Sequence, residues 1–147
     1  MFSAIALTLA LTTTPSPMPT PQNLPTIAFA APNALLTLQV ARTGAQQETG
    51  LMWVTALAPH TGMVFVFPGD QAESVWMKNT LIPLDMIFVG ADDRVRKIFE
   101  NVPVVAPTLP DGNIPLESAS AKYVIELPAG EAARDGIVPG TLLGDLV

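Results

Sequence analysis

Val75-Trp-Met-Lys-Asn-Thr-Leu-Ile-Pro-Leu-Asp-Met-Ile-Phe-Val89 is the stretch on which the reading of this chain turns. It presents two apolar runs on either side of a proline, with a tryptophan, a lysine, an asparagine and an aspartate placed among them. If Thr80 to Pro83 form a connecting turn, antiparallel register sets Asn79 opposite Leu84 and Lys78 opposite Asp85. Trp76, Lys78 and Thr80 then share a face with Asp85, Ile87 and Val89. Val75, Met77, Asn79, Leu84, Met86 and Phe88 line the other face, which is the expected core. Burial of Leu84, Met86 and Phe88 contributes roughly 1.5 to 3 kcal/mol each before entropy is counted, so that face sets the register.

The polar face has two readings. Lys78 and Asp85 are either a surface ion pair worth about 0 to 1 kcal/mol, or, with Trp76, the floor of a partly apolar concavity that binds a small polar or anionic ligand. Asn79 and Pro83 read as structural. Asn79 falls on the core side and must satisfy its amide there, as a clip to the turn backbone, because an unpaired buried amide costs roughly 1 to 3 kcal/mol.

Outward from this segment, Ala34 to Ala41 alternates apolar and polar residues as a half-buried strand does. Gln46 to Leu57 has apolar residues near helical spacing, with Thr49 as a candidate cap and Gly50 weakening the helix. Met63-Val-Phe-Val-Phe67 is an uninterrupted β-prone run closed by Pro68-Gly69, the pattern of a strand covered on both faces. Asp92-Asp93 suits a hairpin turn into a returning strand over Val95 to Val105. Ala106 to Ser120 reads as a loop and Lys122 to Leu127 as another strand. Ala129 to Asp135 reads as a helical turn or two, stopped by Gly136. The expected fold is mainly β: a single-domain antiparallel sandwich or partly closed barrel with one or two short helices.

All seven Lys/Arg and all thirteen Asp/Glu lie from Arg42 onward. Residues 1–32 therefore read as a signal-peptide-like leader and proline-rich tether, and 33–147 as one β-rich domain. The apolar run Phe2 to Leu11 is near signal-peptide length and short of the ~20 residues that span a bilayer, so export to the periplasm or exterior is expected, without an integral span. Small-residue cleavage patterns occur after Ala10 and around Ala28-Phe29-Ala30. A net charge of −6 offers no patch able to neutralise several phosphates, which argues against a nucleic-acid partner. The absence of cysteine excludes disulfides, thiol catalysis and thiolate metal sites.

The central block, with Gly50-Leu-Met52, Gly62-Met-Val-Phe-Val-Phe67 and Lys122-Tyr-Val-Ile-Glu126, resembles the domain-of-unknown-function family numbered 192. The resemblance runs from about Leu35 to Val147. It implies a small, mostly β, single-domain protein, often behind a leader, with no established activity. Where that family usually has an arginine shortly after Gly-Leu-Met, this chain has Trp53 and Val54.

Asp85 and Glu126 are the candidate catalytic groups, a carboxylate pair for hydrolysis if their strands are neighbours and their environments separate the two pKa values. His60, in a Pro-His-Thr-Gly turn, reads as an exposed loop residue. With no second histidine and no cysteine, no zinc site and no cofactor is expected. A protein-interaction domain in which the central block is packing stands as the third possibility.

Overall fold

In the computed structural model, which describes residue 17 and residues 19–144, six strands form one mixed sheet. They are β1 (Thr26–Ala31), β2 (Ala34–Ala41), β3 (Thr61–Trp76), β4 (Leu84–Val89), β5 (Val95–Val102) and β6 (Leu116–Pro128). Their order across the sheet is β1-β2-β3-β6-β4-β5. Every neighbouring pair is antiparallel except β2 and β3, which run parallel. The mainly-β expectation holds, while the sheet is mixed rather than antiparallel and does not close into a barrel.

The sheet starts earlier than the boundary expected at residue 33. Thr26–Ala31 forms a hairpin with β2, and Phe29 is buried in the core. The Ala28-Phe29-Ala30 pattern thus lies inside a paired strand, where its small residues flank an inward-facing ring. The apolar run Phe2 to Leu11 lies outside the described residues. No helix among the described residues is long and apolar enough to cross a membrane.

The largest departure concerns the central block. It is not a hairpin, because β6 lies between β3 and β4 and pairs antiparallel with both, so β3 and β4 run in the same direction. Met77 to Pro83 is a crossover loop, and Lys78 does not face Asp85. The loop is short because the β3–β6 ribbon folds back on the sheet. Phe65 and Val75 sit ten positions apart, roughly 33 Å along a straight strand. Yet both belong to one apolar cluster with Met77, Leu84, Met86 and Phe88. The register shift between Val66 and Gln71 is where the ribbon bends.

Two cores result, one on each face of the central strands. Leu36, Leu38, Val64, Ile87, Val89, Ile125 and Leu127 form the first. Met63, Phe65, Val75, Met77, Leu84, Met86, Phe88 and Val124 form the second. All six residues of β4 are buried, Asp85 included. The expected core face Val75, Met77, Leu84, Met86 and Phe88 is real, whereas Ile87 and Val89 belong to the other core rather than to a solvated face.

The helix α1 spans Gly44–Thr49, earlier than expected. Its cap is Thr43 rather than Thr49: the Thr43 side chain accepts from Gln46 N–H, and the Gln46 side chain accepts from Thr43 N–H. The second helix, α2 (Glu131–Arg134), lies where one was expected, before Gly136 at φ +74°. Asp93, at φ +59°, makes the turn between β4 and β5.

Gly62 marks the tightest backbone approach. A Cβ there would collide with the main-chain oxygen of Glu126. Because the obstacle is backbone rather than a flexible side chain, Gly62→Ala is expected to cost about 1 to 3 kcal/mol in urea unfolding. An unchanged midpoint would show that β3 and β6 separate without penalty.

Candidate functional site

Where the folded-back ribbon meets α1 and the turn after it, the structure leaves an open cavity of about 240 Å³. Phe65, Phe67, Leu51 and Met52 supply apolar wall; Trp76, Lys78 and Thr80 also line it, together with Glu126. These side chains come from segments far apart in sequence, brought together by a pair of left-handed turns. Trp53 (φ +67°) and Asn79 (φ +53°) are joined by a hydrogen bond from Trp53 N–H to the Asn79 carbonyl, 2.9 Å. The Asn79 amide also points at Met52 Sδ, 3.7 Å away. Asn79 joins the two turns through its backbone carbonyl rather than through the side-chain amide expected to clip the turn backbone. Pro83 is structural too, its carbonyl accepting the Ala129 N–H at 3.1 Å.

Gly50 is needed beside the cavity. It sits at φ +47°, and a Cβ there would press on the Phe65 ring at 3.3 Å. The Gln22 amide donates to the carbonyls of Gln46 and Gly50, both at 2.8 Å, and so ties the segment before β1 to the end of α1.

Glu126 gives the cavity its chemistry. On β6 it stands in register between Met63 of β3 and Met86 of β4, so its carboxyl projects from the face of the second core and is 4% exposed. Burial alone pushes its pKa from the usual 4.5 up to about 8, since a carboxylate among methionines and aromatic rings lacks the solvation that water would give it. Where the family pattern would place a basic group, Val54 packs against the same cluster. The carboxyl is consequently neutral at pH 7, able to donate one hydrogen bond and to accept others.

Of the residues expected to bind ligand, Trp76 and Lys78 line this cavity and Asp85 does not. The Lys78 ammonium lies 5.1 Å from the centre of the Trp76 ring and pairs with Asp111 rather than with Asp85. That pair is partly exposed and worth about 0 to 1 kcal/mol. Asp85 is fully buried on the opposite face, where its oxygens accept the Asn101 N–H at 2.8 Å and the Ala132 N–H at 3.0 Å.

The same register undoes the proposed carboxylate pair. Asp85 and Glu126 do lie on neighbouring strands, but Asp85 is opposite Leu127 and Glu126 opposite Met86, so the two carboxyls point to opposite sides of the sheet. They cannot act on one substrate atom.

Sequence reasoning missed a second cluster. His60 is half exposed, as a turn residue should be, yet its Nδ1 lies 3.0 Å from Glu131 Oε1 and 2.8 Å from Asp135 Oδ1. Burial and the neighbouring Glu131 charge raise the Asp135 pKa, against the pull of His60 and Arg134. The available signal was the four-residue spacing of Glu131 and Asp135, which puts both acids on one side of a helical turn.

Two solved structures share this fold over most of the chain. A protein of Novosphingobium aromaticivorans DSM 12444, of unknown function, is 33% identical with a TM-score of 0.69, covering 82% of this chain and 84% of its own. A protein of Sinorhizobium meliloti 1021, provisionally named a transcription regulator, is 34% identical with a TM-score of 0.67, covering 79% and 88%. No curated protein matches the chain. The family DUF192, described as "Uncharacterized ACR", matches residues 27–144, a span that takes in all six strands but the first residue of β1, the cavity and the His60 cluster, and the chain belongs to that family.

Proposed function

We propose that this domain binds a small molecule in the Glu126 cavity, with an apolar body packed against Phe65, Phe67, Met52 and Trp76 and a polar or anionic end held by Glu126 and Lys78. The observation that carries this reading is a nearly buried carboxyl at an open cavity with both apolar and polar walls, where burial pushes its pKa up to about 8. Keeping such a group buried costs stability, and costs of this kind concentrate at functional sites. At about 240 Å³ the cavity lies below the ~300 Å³ at which drug-sized sites begin, so its occupant is a compact metabolite. A neutral Glu126 donates to a ligand carboxylate without repelling it, while the Lys78 ammonium supplies a complementary charge.

Paired-carboxylate hydrolysis loses its basis, because Asp85 is on the other face. Transcriptional regulation, suggested by the name of the Sinorhizobium relative, finds no support in the charge of this chain, which is −6 with only seven basic residues. The charge-free leader with its apolar Phe2 to Leu11 run supports export, testable by N-terminal sequencing of the protein recovered from a periplasmic fraction.

Thermal-shift screening with small monocarboxylates tests the binding reading. Stabilisation is expected at pH 6.5 and is expected to vanish at pH 9.5, where ionised Glu126 repels the ligand. Glu126→Gln, which donates a hydrogen bond at either pH, should retain binding at pH 9.5. Lys78→Ala should weaken it about tenfold, equivalent to about 1.4 kcal/mol. Shifts indifferent to pH and to both substitutions would place the ligand elsewhere.

A further inference from the structure

We propose that His60, Glu131 and Asp135 form a binding site for one divalent transition-metal ion, Zn²⁺ foremost. The site stands apart from the Glu126 cavity: α2 packs through Ala132 on the opposite core, the one containing Leu36, Ile87 and Ile125. The turn preceding β3 supplies the imidazole, and α2 with the residue after it supplies the two carboxylates.

The geometry is that of a converging ligand set. One donor atom from each residue, His60 Nδ1 and one oxygen from each acid, lies within 4.8 Å of the other two. The nitrogen-to-oxygen separations are 3.0 Å to Glu131 and 2.8 Å to Asp135. Around a tetrahedral ion with bonds of ~2.0–2.1 Å, donor atoms stand about 3.3 Å apart. An opening of a few tenths of an ångström at His60, whose side chain is 46% exposed, would admit the ion.

The Asp135 side chain is 1% exposed, and apart from the His60 Nδ1 contact at 2.8 Å neither of its oxygens has a hydrogen-bond partner. A buried carboxylate left in that state is costly, and its absence from the hydrogen-bond network needs a physical reason. The imidazole answers only part of it: Glu131 is already served by the His60 N–H and Arg134, and a single Nδ1–H can reach Asp135 Oδ1, which leaves Oδ2 without a donor. A cation among the three donors supplies the missing positive charge.

Neighbours hold Glu131 in place for this role. His60 N–H reaches its Oε1 at 3.2 Å, and Arg134 Nη1 reaches its Oε2 at 3.1 Å, so Oε1 is the atom turned toward the imidazole. One nitrogen and two carboxylate oxygens suit the borderline ions Zn²⁺ and Co²⁺, whereas Ca²⁺ and Mg²⁺ take oxygen throughout. Three protein donors leave coordination positions for water on the exposed histidine side.

His60 is the sole histidine of the chain, so a tag-free, ¹⁵N-labelled protein reports on the site without mutation. Titration with Zn²⁺ is expected to shift the His60 ring-nitrogen resonances and to saturate at one equivalent. Co²⁺ should give a visible d–d band and raise the melting temperature, and His60→Ala, a change at a half-exposed turn, should weaken Co²⁺ binding at least tenfold. Ring nitrogens unmoved by a tenfold excess of Zn²⁺, or a Co²⁺ spectrum unaltered in His60→Ala, would reduce the cluster to an internal histidine–carboxylate ion pair and overturn the proposal.

Discussion

Raising the pH from 4.5 to 9 is expected to destabilise this domain through Glu126, and Glu126→Gln is expected to abolish most of that loss. The unfolded chain releases the Glu126 proton near the usual 4.5, the folded chain near 8. Between those values the native state holds more proton than the unfolded one, so stability falls as pH rises and levels off once both states are ionised. The interval of about 3.5 pH units corresponds to roughly 5 kcal/mol, a large share of the ~5–15 kcal/mol that holds a typical domain together. Glutamine keeps the shape and the donor but has no proton to lose. Urea unfolding at pH 4.5 should find the two proteins about equally stable, and at pH 9 the variant should be ahead by about 3 to 5 kcal/mol. Parallel profiles for the two would mean that the carboxylate is solvated in the fold, which removes the argument for the cavity as a site.

Asp85→Ala is expected to cost about 3 to 6 kcal/mol, without any ligand being involved. The strand register explains why. Leu84 pairs with Val102 and Met86 with Phe99, so the single residue Asp85 faces both Glu100 and Asn101 on β5. Asn101 adopts φ +53° in this bulge, and its N–H turns to the Asp85 carboxylate. The other oxygen accepts the Ala132 N–H in the first turn of α2, whose own cap, Gly130, offers no side chain. Each bond is charge-assisted and worth about 1.5 to 3 kcal/mol, and truncation orphans two buried donors at once. Asp85→Asn should recover part of the loss, since its amide carbonyl accepts one bond while its NH₂ opposes the second donor. A change below about 1 kcal/mol in chemical denaturation would show that water replaces the carboxylate and that this pin is dispensable.

These two carboxyls show what was legible and what was not. Alternation within Val75–Met77 and Leu84–Phe88 correctly sorted the side chains that meet in the second core. The turn at Asp92-Asp93, the stop at Gly136 and the strand at Lys122 to Leu127 were equally readable, because glycine, aspartate and β-branched residues act on their own backbone. The backbone bond from Trp53 to Asn79 was not legible, because it rests on two left-handed turns and not on the side-chain amide. Three features at the centre of the fold were hidden. Leu84-Asp-Met-Ile-Phe-Val89 carries apolar residues on both sides, the pattern of a strand covered on both faces, and its single aspartate suggests a solvated side that the fold does not have. The insertion of β6 between β3 and β4 pairs residues some forty positions apart, as in Met86 with Glu126. His60 meets Glu131 across seventy-one positions.

The amino-acid sequence by itself determined the mainly-β class, the family, the alternation of side chains along single strands and the acidic, cysteine-free character of the chain. These follow from side-chain size, charge and backbone preference acting over a few residues. Only the tertiary structure decided which strands are neighbours, and with that where each carboxyl lies: Asp85 pinned between two backbone donors, Glu126 at a cavity, Asp135 buried beside His60. Strand pairing is a contest among many apolar edges of similar affinity. It is settled by the burial of the whole set at once, a quantity that no local window contains.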